Sequence, residues 1–346
     1  MTRLRTLSAI VLLGICSGCA NVPPKTLGVD RFDYGQELAE SWKRQTLINV
    51  VRLRYADAPV FMDVTSIISS RSRSGKVSAG GELWENPEPS LIAGFGAEGS
   101  WSNTPTVTYQ PILGDKFAKS LLRPIPPSSV FQMLEAGWPA QLVLAVTVSS
   151  MNGINNSAFA EQPIDPRFAE LSEKLARLLS SRLLGIRVVE KEDGDAVVLL
   201  FRGDTDEAAK ADMRRAGEIL NLEAGVTELA VTFGSVQINR KGIAMSTRSM
   251  LEIMLVLGNG IDVPESHVMS GRARGVPANI DPLVHINFGD AAPADAYAAV
   301  QYRGSWYWID DTDRKSKAIF SFLMMLFSLA ESGQAAGGPV VTVPSR

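Results

Sequence analysis

Cysteine is almost missing from this chain: 346 residues contain two, Cys16 and Cys19. No disulfide can brace anything beyond residue 19, so the fold has to be held by its core. Histidine is equally scarce, and neither His267 nor His285 stands at the HxxxH-type spacing of a zinc site. The sequence suggests a loop for His267, in "VPESHVMSG", and a structural strand position for His285, in "PLVHINFGD". Charge is nearly balanced, with 34 basic against 37 acidic residues, so the basic face that nucleic acid requires is lacking. The nucleophile and phosphate motifs GxSxG, SxxK, HExxH and GxxxxGK are absent as well, and no cofactor is expected. "GFGAEG", Gly94 to Gly99, has the letters of a dinucleotide fingerprint. The "SWSNTPTVTY" that follows it cannot open the helix on which a pyrophosphate would rest.

What is present begins at the N-terminus. Arg3 and Arg5 precede a short apolar run, Leu7 to Ile15, which is the pattern of a secretory signal peptide and is too short for a bilayer-spanning helix. Ser17, Gly18 and Cys19 resemble the lipobox of bacterial lipoproteins, with Cys16 where that motif usually has leucine. The resemblance implies that residues 1–18 are a leader, that Cys19 becomes the first mature residue, and that it carries acyl chains such as palmitate. Several chains make a stable anchor where one is marginal. Ala20, in place of an aspartate retention signal, implies the periplasmic face of the outer membrane over the inner membrane. Loss of Arg3 and Arg5 leaves 32 basic against 37 acidic residues, a net charge of -5. Arg71, Arg73 and Lys76 in "SSRSRSGK" read as a solvated turn in preference to a contact with anionic lipid headgroups.

The hydrophobic period then predicts a mixed α+β protein whose sheet is mainly antiparallel. Residues 19–35 form a tether, and 36–151 an N-terminal α+β region that opens with a helix from Gln36 to Tyr55. A hairpin segment spans 59–110, where Ser69 to Tyr109 is rich in glycine and serine and alternates as amphipathic strands do. "PAQLVLAVTVSSMNGI" continues as helix up to a polar linker, 152–166. A C-terminal α+β domain over 167–331 alternates helices and strands, with one strand running through "ELAVTFGSVQI" and an apolar helix at Arg314 to Ala330. The last residues, 332–346, form a flexible tail with a strand-like end able to pair with a sheet edge.

Candidate sites are few. Asp310, Asp311 and Asp313 are the densest acidic group; calcium is one reading, and capping of the next helix is the stronger one. Trp306 and Trp308 flank Tyr307 on an alternating strand and serve either packing or an aromatic platform for sugar or peptide. Three blocks, "RLRYADAPVFMDVTSI", "PTVTYQPILGDKFAKSLLRPIPP" and "VQYRGSWYWIDDTDRKSKAIFSFLMMLFSLAE", resemble a family of uncharacterised bacterial envelope lipoproteins, with a weaker likeness in "TRSMLEIMLVLGNGIDVPESH". The resemblance implies class and compartment and brings no catalytic residue. The expected function is therefore that of a non-enzymatic assembly, scaffold or binding component, with the membrane and an envelope protein or further copies as partners; Ser69 to Tyr109 reads either as hairpins that close a β-barrel pore shared between copies or as an ordinary exposed hairpin within the domain. The opposing reading is an envelope hydrolase using Asp310, Asp311 or Glu265 on glycan or peptide.

Lipidation is directly testable. Cys19→Ser should abolish labelling by a radioactive fatty acid and release the protein from the membrane fraction. Undiminished labelling would refute the assignment.

Overall fold

Leu47, Val50 and Val51 have no exposed surface, and their spacing marks one face of a helix. In the computed structural model, which describes residues 25–84, 90–156, 164–189, 196–202, 206–275 and 281–332, they lie on α1 (Lys25–Arg54). The helix starts directly after Pro23 and Pro24, eleven residues before Gln36. The apolar stripe begins only further along, so the period fails to reveal the first turns, whereas the proline pair marks where a helix can begin. Residues 25–35 of the expected tether are thus helical.

The chain then forms β1 (Met62–Trp84) and β2 (Ser90–Pro111), antiparallel from Met62↔Pro111 to Trp84↔Ser90 with one irregularity between Val64 and Ser66. Arg71, Arg73 and Lys76 stand in register with Asn103, Trp101 and Glu98, so their backbone is strand and not the expected turn. The amphipathic faces expected of Ser69 to Tyr109 concern side chains, and for 65–106 these lie outside the described residues. A short helix, α2 (Gly114–Phe117), widens into a π-helical turn at Ala118–Leu122.

The central sheet has six strands in the order β4-β3-β8-β7-β6-β5. They are β3 (Val148–Met151), β4 (Ile154–Asn155), β5 (Leu184–Val189), β6 (Ala196–Phe201), β7 (Glu228–Phe233) and β8 (Gly242–Thr247). Every pairing is antiparallel except β7 with β8. That parallel crossover uses only residues 234–241, short for a connection that usually holds a helix. Val197, Leu199, Leu229 and Val231 are buried while their neighbours along the strands are more exposed, so this part of the sheet has a core face and a wetter one. Helices α3 (Pro127–Glu135), α4 (Ala140–Thr147) and α5 (Pro166–Ser180) pack against its strands, and α6 (Glu207–Ile219) packs on α5. Of these, α3 lies on β5, β6 and β7, and α5 packs between α4 and α6.

α1 packs against α7 (Met250–Gly258), which α8 (Glu265–Met269) follows, and against β10 of a three-stranded sheet of order β10-β11-β9. Its strands are β9 (Asn287–Gly289), β10 (Ala298–Tyr302) and β11 (Ser305–Ile309), and α9 (Arg314–Ser332) follows. One cluster of buried apolar side chains runs from Leu47 to Phe327 and draws on both sides of 152–166. Gly260 sits where nothing larger fits, since a Cβ there would stand 1.8 Å from the Val284 carbonyl oxygen.

Two expected elements change. The helix read through "PAQLVLAVTVSSMNGI" ends at Thr147 and becomes β3. The strand read to Ile238 stops at Phe233, and Gly234 turns the chain at φ 150°. Arg248 explains the first change. Its guanidinium is 2% exposed and donates from Nη1 to the carbonyls of Ala145 (2.7 Å) and Val146 (2.8 Å), and from Nη2 to that of Asn156. A cation thus satisfies the open carbonyls at the end of α4. Burial pulls its pKa down to about 10, and the group stays charged.

Arg248→Ala should lower unfolding free energy by about 3 kcal/mol or more, because buried carbonyls lose their donor. Arg248→Lys should recover part of that loss through its charge without the fork. Urea titration with an unchanged slope reads both; an alanine variant as stable as the parent would remove Arg248 from this role.

Candidate functional site

The end of α1 sets the geometry of a polar cluster that joins it to α8 and the β10–β11 hairpin. Ala56 takes φ 58°, its N–H reaches the Leu53 carbonyl (3.1 Å), and the Asp57 N–H reaches that of Arg52 (2.9 Å). This is a Schellman closure with alanine where glycine is usual. It turns Tyr55 inward and presents Asp57 to the β10–β11 hairpin. That hairpin closes on Arg303 and Gly304, at φ 49° and 89°, between the paired residues Tyr302 and Ser305. Two left-handed residues make the primed turn that matches strand twist. The closure carries Tyr302 and Arg303 to Asp57.

Asp57 accepts from the Tyr302 hydroxyl and from Arg303 Nη2 at 2.7 Å. The Tyr302 bond and then Arg303 hold its carboxyl below the usual carboxylate range. The Arg303 guanidinium also lies over the rings of Tyr55 and Tyr302, 5.2 and 5.6 Å from their centroids. Behind this pair, the Tyr55 hydroxyl is 2.5 Å from that of Tyr307 and 2.7 Å from His267 Nδ1. All three side chains are buried. Burial, then Tyr55, pushes the Tyr307 phenol well above its ordinary pKa. Tyr55 has one proton to give, so one of its two partners donates to it and the other accepts from it. A closed network of this kind fixes α1, α8 and β11 relative to each other.

The second feature is a cleft of about 370 Å³ at the root of the β1–β2 hairpin. Leu38 and Trp42 of α1, Phe61, Tyr109, Leu121 of the π-helical turn and Phe327 of α9 line it. Its size is that of small-ligand sites.

The acidic residues singled out by sequence are placed as follows. Asp310 Oδ1 accepts from the Thr312 N–H and hydroxyl, both at 2.7 Å. Asp311 pairs with Lys317 at 2.6 Å. Asp313 accepts from the Ser316 N–H (3.0 Å) and hydroxyl (2.5 Å), capping α9. No group of three side chains suited to a metal occurs among the described residues. Glu265 is exposed in the first turn of α8. Trp306 and Trp308 are half-buried on β11, and the Trp308 ring lies close over Gly289. Cys19 lies outside the described residues. His267, expected in a loop, is instead buried on α8 and bonded to Tyr55, because the loops flanking α8 fold it inward. His285 is half-exposed, its Nε2 2.8 Å from Asp262 Oδ2. Sequence reasoning missed Tyr55, Asp57 and Arg303 as a unit: Tyr55 stands 212 and 252 residues from its partners, and no local pattern signals such pairing. Comparison of the chain with known protein families, with curated proteins and with solved structures finds no match in any of the three.

Tyr55→Phe should cost about 1–3 kcal/mol, since it strands a buried imidazole nitrogen and a phenol together. Tyr307→Phe, which leaves the Tyr55–His267 bond, should cost less, and the double variant should fall short of the sum. Asp57 has a folded pKa below its unfolded value. Its stabilisation is present above about pH 4 and is lost as pH falls through the folded pKa. Thermal melts of Asp57→Asn should therefore lie below the parent at neutral pH and converge with it in acid. Parallel curves would count against the pairing.

Proposed function

We propose that this chain is a lipid-anchored, non-enzymatic component of the bacterial envelope that assembles with copies of itself through the β1–β2 hairpin. The leader pattern and Cys19 support the anchor, and the periplasmic face of the outer membrane is the compartment this reading assigns. The observation that carries the assembly is the hairpin itself. Two strands of 23 and 22 residues, about 75 Å long at 3.3 Å per residue, pair with each other and form a sheet of two among the described residues. Strands in globular proteins are usually 3–10 residues, and a hairpin alone is marginal in water. Beyond its root, from Arg71 to Trp84 and from Ser90 to Asn103, each strand offers a backbone edge to another chain. Edge pairing between copies is the economical way to satisfy both edges, and closure of a ring leaves none. The cleft at the hairpin root places an apolar binding surface where the assembling element joins the body.

Light scattering on the full chain in detergent should give a defined oligomer. Replacing residues 72–102 by a two-residue turn, which joins the paired positions Arg71 and Asn103, should leave the melting temperature of the body unchanged and yield monomers. A monomeric parent, or a shortened chain that assembles equally well, would defeat the proposal.

A further inference from the structure

Phe327 of α9 forms one wall of the cleft at the hairpin root, where its ring centroid lies 5.4 Å from that of Phe61. The helix runs on for about five residues, roughly 8 Å, and ends at Ser332. The chain beyond it, "GQAAGGPVVTVPSR", residues 333–346, contains the strand-like end expected from sequence and lies outside the described residues. Residues 333–338 are a spacer of glycine, alanine and glutamine. Six residues span up to about 20 Å when extended, more than the stretch of helix between Phe327 and Ser332. Pro339 and the residues after it therefore reach back to the cleft.

The cleft is open and mostly apolar. Leu38, Met62 and Tyr109 line it and are themselves exposed, Tyr109 by 54%. At its α1 rim, a Cβ built on Gly35 would meet nothing within 4 Å. Asp63 is the one charged residue in the lining, which has no lysine or arginine among the described residues. An anionic headgroup or a fatty-acid carboxylate would meet that carboxylate with no cation to offset it, so the fitting occupant is apolar and free of negative charge. The tail has this chemistry. Alternate residues of an extended segment share a face, which puts Pro339, Val341 and Val343 on one apolar edge about 13 Å long and Thr342 on the other. Arg346 is the one charged side chain in 333–346, opposite in sign to Asp63.

We propose that residues 339–343 lie extended in the cleft at the hairpin root of the same chain, with Pro339, Val341 and Val343 packed against the wall that Leu38, Trp42 and Tyr109 form. A short flexible spacer holds the segment at an effective concentration of about millimolar, so a contact too weak to keep a free peptide keeps this one. The docked tail covers apolar surface that the body leaves open and ties the end of α9 to α1 and to the base of the hairpin. The contact is within one chain and rests on neither the lipid anchor nor the assembly proposed above.

The test is the rate at which a maleimide alkylates Ala39→Cys, on the exposed α1 side of the cleft, in the full chain in detergent. The peptide containing residue 39 is followed by mass spectrometry, so Cys16 and Cys19 do not contribute. Alkylation should be slow, and about tenfold or more faster once Val341→Asp and Val343→Asp are added, since two buried charges release a tethered segment. Thr342→Asp, on the opposite face, should leave it slow. Circular dichroism should show the same fold in every chain, because all the tail changes lie outside the body. Copies are told apart by co-expressing the Ala39→Cys, Val341→Asp, Val343→Asp chain with the unmodified one, and its alkylation should stay fast. The proposal fails if Val341→Asp with Val343→Asp leaves the rate unchanged, which is also the result if detergent or another ligand fills the cleft. It fails if Thr342→Asp accelerates alkylation as much as the valine changes do. Protection restored by the co-expressed chain would make a second copy's tail the occupant and overturn it as well.

Discussion

The Arg248 side chain lies inside the protein with its charge intact, and three separate pieces of the chain converge on it. Its guanidinium holds the carbonyls that end α4 and the one that follows β4. Its own N–H donates to the Thr147 carbonyl (2.7 Å), and its carbonyl accepts from the Ile125 N–H (3.0 Å). Ser249, the next residue, begins α7 with a reciprocal capping box to Glu252. One residue therefore ends a helix, orders a strand and precedes the start of another helix. A cation can do this where a neutral donor cannot, because helix C-termini concentrate carbonyl charge and the guanidinium fork serves several acceptors at once. Remove it and the switch from α4 to β3 loses its cause, and with it the pairing of β3 to β8 on which the order of the central sheet rests.

The polar cluster at the end of α1 follows a related logic with neutral groups. Tyr55 serves two partners with one hydroxyl, and the ring beneath that hydroxyl carries Arg303. Each link is modest alone. Together they join the N-terminal helix to strands and a helix some two hundred residues later, which apolar contact does without directional preference. The surface pairs between α5 and α6, such as Arg215 with Glu170 and Arg177 with Asp212, contribute less, since water screens them.

Legibility in the sequence tracks how local the determining force is. The α+β class and the apolar helix at Arg314 follow from hydrophobic period, and that signal lies within a few residues. Strand β8, "GIAMST", has little alternation because Ile243, Ala244 and Met245 are all buried, so its place between β3 and β7 leaves no period to read. The end of α4 is set by a guanidinium a hundred residues away, and the buried state of His267 by Tyr55. Asp313 is the contrary case: its cap on α9 needs only the next three residues, and the capping reading of "DDTDRKSK" anticipates it. Arg54 looks in sequence like any cation completing a helix end, and only burial distinguishes it from Arg52.

The core that joins Leu47 and Val50 to Phe320, Phe322 and Leu323 has a consequence in time. A chain that emerges N-terminus first presents α1 long before α9 exists, and the apolar stripe of α1 has no complete partner until residue 327 has appeared. The central sheet waits too, since β3 cannot take its place beside β8 until residue 247 is available. Contacts this distant make closure slow and leave apolar surface exposed meanwhile. Truncations of the last helix should therefore fail as unfinished chains and not as shortened folds.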